Sequence, residues 1–118
     1  MLFSDVLKEV VNGTEGAVGA LIVGLDGIPV EAYSIAGDMD IQTMFVEYSF
    51  LLKEIEKGSQ AAQMGSTREV TIITDKAIII LHRLQGEYFF ALLLKPEGNI
   101  GQGRFLLRMS VPRVLKEF

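Results

Sequence analysis

Cysteine and tryptophan are absent from this 118-residue chain, and histidine occurs once, at His82. Without cysteine there is no disulfide framework, no thiolate zinc site and no cysteine nucleophile. One histidine excludes a multi-histidine metal centre. A cysteine-free composition fits a reducing compartment, and the expected location is the cytoplasm. Basic residues are in the minority, 11 Lys and Arg against 15 Asp and Glu, and the net charge of −4 has the wrong sign for a general nucleic-acid binder. No apolar run approaches the roughly 18–20 residues of a membrane span. The longest is Tyr88 to Leu94, and the N-terminus carries Asp5, Lys8 and Glu9 where a signal peptide would be basic and then apolar. Neither nucleic acid nor a membrane is therefore expected as a partner.

Hydrophobic residues are plentiful. They make up 49% of the chain, and the mean hydropathy of +0.34 is high for a small domain. Such an excess has to be buried against something, a partner chain included.

Leu2, Phe3, Val6, Leu7, Val10 and Val11 recur at helical spacing, predicting a helix over 1–12 that Asn12-Gly13 ends. Ala17–Leu25 and Ile28–Ser34 read as a hairpin over 17–34, with Asp26-Gly27 as a type I′ turn in which both residues take positive φ. Asp38 and Asp40 open a long helix over 38–62, with Gly58 as its weak point or terminator. Three strands follow as a meander over 68–94, the last apolar on both faces and so central. Asn99 caps a helix over 100–110, which Pro112 is expected to break, leaving 111–118 as a tail. This order predicts an α+β sandwich of three layers. Its five-stranded antiparallel sheet carries the long helix on one face and the terminal helices on the other.

Catalytic patterns are missing. A Ser-His-Asp arrangement would have to use His82, which reads as a strand histidine at a sheet edge. There is no Gly-x-Ser-x-Gly elbow and no Walker A loop. Gly101-Gln102-Gly103 lacks the third glycine of a dinucleotide fingerprint, and reads instead as room for the last helix to approach the sheet. Glu54 and Glu56, alternating with Lys53 and Lys57, read as a solvated helix end. No enzyme activity, metal or cofactor is expected. Arg104 and Arg108 share a helix face, with Arg113 nearby and Arg68 and Arg83 elsewhere. They read as either a solvated face or a docking patch for an acidic partner.

The long helix is the informative anomaly. Ile41, Met44, Phe45, Tyr48, Leu51, Leu52 and Ile55 have the spacing of one buried face. Met39, Val46 and Phe50 fall opposite, as a second apolar stripe that a neighbouring subunit would cover. The strand Glu69–Thr74 falls at a sheet edge. It is β-branched and free of proline, so its open backbone invites pairing with a symmetry mate.

Two segments carry a resemblance. They are Gly16-Ala-Val-Gly-Ala-Leu-Ile-Val-Gly-Leu-Asp26-Gly27-Ile28-Pro29-Val30 and Leu92-Leu-Leu-Lys-Pro-Glu-Gly-Asn99-Ile100-Gly101. Their order and spacing, over about Leu2 to Ser110, resemble the Roadblock / dynein light chain family, including the MglB-type regulators of Ras-like GTPases. The resemblance implies a profilin-like sandwich and a homodimer with long helices side by side and edge strands joined. It also implies a non-catalytic role, in which a Ras-like small GTPase is bound and its GTP hydrolysis can be stimulated without an arginine finger. On this chain the dimer surface would comprise Met39, Val46, Phe50, Val70 and Ile72, and the partner surface Thr43, Glu47 and Lys53. The alternatives are a dimerisation scaffold that recruits other partners and, third, a small-ligand sensory domain.

Overall fold

The apolar runs pair into one antiparallel sheet. Its strands are β1 (Ala17–Gly24), β2 (Pro29–Ser34), β3 (Glu69–Ile73), β4 (Ile78–Arg83) and β5 (Tyr88–Leu94), and their order is β2-β1-β5-β4-β3. Three helices, α1 (Phe3–Gly13), α2 (Ile41–Ala61) and α3 (Ile100–Leu115), complete the computed structural model, which describes every residue except Met1, Ala36, Asp38 and Met39. β5 is central, as its two-sided apolar sequence requires.

Alternating side chains divide the strands between two cores. Ala20, Ile22, Ile80, Phe90 and Leu92 face Val6, Leu7 and Val10 of α1 and Leu107 and Val114 of α3. Leu21, Val23, Ile79, Leu81, Phe89 and Leu93 face Ile41, Phe45 and Leu52 of α2. The alternation in β1 resets at Gly19, where the register against β5 slips by a residue. Each fully buried Leu, Ile or Phe contributes about 1.5–3 kcal/mol. The result is the expected α+β, profilin-like sandwich of three layers.

Local chemistry sets the ends. The Asn99 side chain accepts from the Gln102 N–H at 3.0 Å and starts α3, as its sequence position suggested. A Cβ on Gly103 would lie 3.0 Å from Leu92 Cδ2, so this glycine does let α3 approach the sheet, whereas Gly101 faces only Asn99 Oδ1 at 3.7 Å. Asp40 caps α2 through the Thr43 N–H at 3.1 Å, and the Asp38 assigned to the same start lies outside the described residues.

Two expectations give way, and of the two readings of Gly58 the terminator is excluded. The Asp26-Gly27 turn is not type I′, because only Gly27 has positive φ, at +82°. The Gly27 N–H bonds to the Gly24 carbonyl and Asp26 Oδ1 accepts from the Ile28 N–H, giving a three-residue loop closed by a left-handed glycine. α2 runs through Gly58, whose exposed site has nothing packed nearby, and ends where Gln63 and Gly65 turn left-handed. An exposed helical glycine costs only about 1 kcal/mol relative to alanine. α3 likewise runs through Pro112 to Leu115. Pro112 and Arg108 both face solvent, where water can serve the carbonyl that the proline leaves unbonded. Beyond the proline, burial of Val114 and the Glu9–Arg113 ion pair at 2.6 Å hold the helix down. The expected tail is therefore mostly helix, and Phe118 packs on Phe3 and Tyr88.

A polar latch fixes the far end of α2. Glu56 meets Arg83 at 2.6 Å and accepts the Thr67 N–H at 3.0 Å, while Arg83 Nε donates to the Thr67 carbonyl at 2.7 Å. Glu56 is therefore no part of a solvated helix end; Glu54 and Lys57, paired at 3.2 Å in full exposure, are. Partial burial pushes the Glu56 pKa up, but the Thr67 N–H, the Gln60 amide and the Arg83 charge outweigh it and hold the carboxyl at about 2, against an ordinary 4.5. A lowered carboxyl pKa stabilises the fold above about pH 4.5, and that stability is lost as pH falls toward 2. Glu56→Gln should lower the urea midpoint at neutral pH, with the gap to the parent closing over that interval. A gap that does not change with pH would show that the carboxylate charge is not what matters.

Candidate functional site

Among the described residues no cluster of His, Asp and Glu could hold a metal ion, and no helix is long and apolar enough to cross a membrane. What stands out is an uncovered apolar surface. α2 comes closest to β1 and β2, so it leans over one half of the sheet. It buries Ile41, Phe45, Ser49 and Leu52. Of the seven residues expected on its buried face, Leu51 and Ile55 are instead 54% and 40% exposed. Leu51 and Leu52 are consecutive, about 100° apart around the axis, and a helix covered from one side cannot bury both.

Leu51 and Ile55, with Tyr48, form one wall of a groove of about 290 Å³. Val70 and Ile72 of β3 form the other wall, and Leu81 also lines it. Glu54 is the one charged residue among those lining it. The groove ends at the β3 edge, and that edge is open. Arg83 donates to the Arg68 carbonyl and Thr74 to the Ala77 carbonyl, which places the even-numbered residues in the bonded pairs with β4. The N–H and C=O groups of Glu69, Thr71 and Ile73 then point outward, unpaired among the described residues. Apolar groove and open ladder are contiguous.

The residues assigned from sequence separate onto two surfaces. Val70 and Ile72 line the groove. Val46 and Phe50, 38% and 59% exposed, do not join them. Val46 lies against the Gly27 turn, and Phe50 lies under the Lys53 ammonium at 6.0 Å. Val46 and Phe50 thus lie on a flank of α2 away from the groove, whose helical wall is the Tyr48–Leu51–Ile55 side, while Val70 and Ile72 supply its β3 wall. Met39 lies outside the described residues. Thr43 is occupied as part of the Asp40 cap, its hydroxyl 2.6 Å from Asp40 Oδ2, whereas Glu47 and Lys53 are freely exposed. Sequence reasoning missed Leu51 and Ile55, and the Leu51-Leu52 pair was the signal.

On the opposite sheet face the arginines also regroup. Arg113 goes to Glu9, whereas Arg104 reaches β3, with Nε 3.1 Å from Glu69 and Nη2 2.9 Å from the Thr71 hydroxyl. His82 lies beside Arg104 and Arg108, one strand in from the edge rather than on it. Burial holds its pKa below the ordinary 6.5; the nearby charge of Glu69 opposes this, and those of Arg108 and Arg68 reinforce it. Arg108→Gln should raise the His82 pKa in an NMR titration of the imidazole. No change would remove Arg108 from its surroundings.

The chain is thus a three-layer sandwich with one sheet face half covered and an open edge strand. No family model and no curated protein matches the chain. Solved structures do. MglC from Myxococcus xanthus is 32% identical, with both chains covered in full and a TM-score of 0.73. A Roadblock/LC7 domain from Streptomyces avermitilis superposes at TM-score 0.87 and 15% identity, over 99% of this chain and 98% of that one. MglB of Myxococcus xanthus gives 0.84 at 8% identity, over 100% and 98%. The chain belongs to the Roadblock/LC7 family.

Proposed function

We propose that the chain is a homodimeric regulator or adaptor that binds a Ras-like small GTPase and is not itself catalytic. The observation that carries this reading is the groove between Leu51, Ile55, Val70 and Ile72, continuous with the unpaired backbone of β3. A second copy related by a twofold axis covers both at once: β3 adds to β3, and the apolar flank of α2 meets its mate. A related protein solved as MglB in a tetrameric arrangement supports assembly through this fold. Dimerisation through the groove leaves the outer flank of α2 free. That flank carries Thr43, Glu47 and Lys53, with Val46 and Phe50 beside them, and it is the surface assigned to the GTPase.

With no catalytic constellation of its own, any stimulation of hydrolysis works by positioning groups already in the GTPase site. The test is retention of proteins from the native organism's lysate on the immobilised chain, with a GTP analogue or GDP added, read by mass spectrometry. A Ras-like GTPase held mainly with the GTP analogue is the expected result. A reproducible partner indifferent to nucleotide would replace this reading with a scaffold.

A further inference from the structure

On the sheet face opposite α2, two adjoining hollows of about 350 and 340 Å³ share His82 and Arg108. They gather Arg68, from the segment before β3, Arg83 from β4, and Arg104 and Arg108 from α3. Glu69 is the only acid lining them, and Glu56 neutralises Arg83 from behind. Arg83 itself turns to the α2 side, against Glu56 and the Phe89 ring, so the excess of positive charge in the cleft, in a chain whose net charge is −4, comes from Arg68, Arg104 and Arg108 against Glu69. Among the described residues, Arg68 and Arg108 make no ion pair, while Glu69 and Thr71 hold the Arg104 guanidinium at the rim. This is the acidic-partner patch suggested by sequence, with Arg68 and His82 added and Arg113 removed to its pair with Glu9.

No one hollow holds all the arginines, since Arg68 lines the first, Arg104 the second and Arg108 both, so a single compact anion in either hollow would engage only part of them. Arg104 and Arg108 are one turn apart on α3, about 6 Å along the axis. Alternate side chains of an extended strand are spaced about 6.6 Å apart. Carboxylates at every second position can therefore meet successive guanidinium groups through charge-assisted hydrogen bonds, fork-like at Arg108 and, at Arg104, on the side not held by Glu69 and Thr71.

We infer that this cleft binds an extended acidic segment of a partner protein, with carboxylates at alternate positions on Arg104 and Arg108. The site is separate from the α2 groove and does not depend on GTPase binding. A fluorescein-labelled nine-residue peptide alternating aspartate with serine, followed by anisotropy, should bind the full chain at low salt and weaken as salt rises. The double substitution Arg104→Gln, Arg108→Gln should reduce affinity by about tenfold or more, while Arg113→Gln leaves it unchanged. Peptide addition should also shift the His82 imidazole resonances, a readout that a merely misfolded variant would not mimic. Absence of binding by the parent chain, or equal binding by the double variant, overturns the proposal. Complete displacement by inorganic phosphate at the peptide's own concentration would also overturn it, showing a site for a single anion.

Discussion

A five-stranded sheet that is apolar on both faces has to be covered on both faces, and this chain has enough helix to finish only one. α1 and α3 together seal the side lined by Ile22, Ile80, Phe90 and Leu92. On the other side α2 stands alone, and it sits toward β1 and β2. The uncovered strip beside β3 follows from that shortage, and with it the groove, the exposure of Leu51 and Ile55, and the meeting of apolar surface with open backbone. Exposed apolar surface of this kind is costly in water unless a partner covers it.

The two polar arrangements on either side of this strip have separate roles. The Glu56–Arg83–Thr67 latch holds the end of α2 to β4, and so fixes how wide the groove stands open. The Arg104–Glu69 pair holds α3 to β3 from the opposite face and helps shape the basic cleft. β3, the strand with fewest neighbours, is thus steadied from both sides by charge. That steadiness suits the proposed pairing of this edge with a second copy.

Much of this was legible in the sequence. The central place of Tyr88–Leu94 followed from its two-sided apolar pattern and the edge place of Glu69–Thr74 from hairpin logic, whereas the full strand order did not follow, and the Asn99 cap and the close approach at Gly103 were readable from single residues. Rules about single residues failed where context outweighed them. Pro112 did not end a helix whose next turn buries Val114, and Gly58 did not end one that costs little to continue. Asp26-Gly27 implied the right hairpin with the wrong turn, because Leu25 bonds to the Glu87 carbonyl and draws one more residue into the loop.

The site was half legible. The edge position of the strand carrying Val70 and Ile72 was legible, since edge position depends only on topology. Leu51 and Ile55 were missed because helical periodicity gives angles around an axis and not where the sheet ends beneath it. The arginine cleft was hidden for a similar reason: Arg68 and Arg108 are distant in sequence and line one hollow only once α3 packs across the sheet. Amide hydrogen exchange at Thr71 and Ile73 tests the central claim most directly, comparing the parent chain with Leu51→Asp. Pairing through β3 and the groove requires slow exchange at both amides in the parent and fast exchange in Leu51→Asp, with β5 protected in each. Fast exchange at Thr71 and Ile73 in the parent would mean that the edge stays open, and would contradict the proposed pairing of two copies.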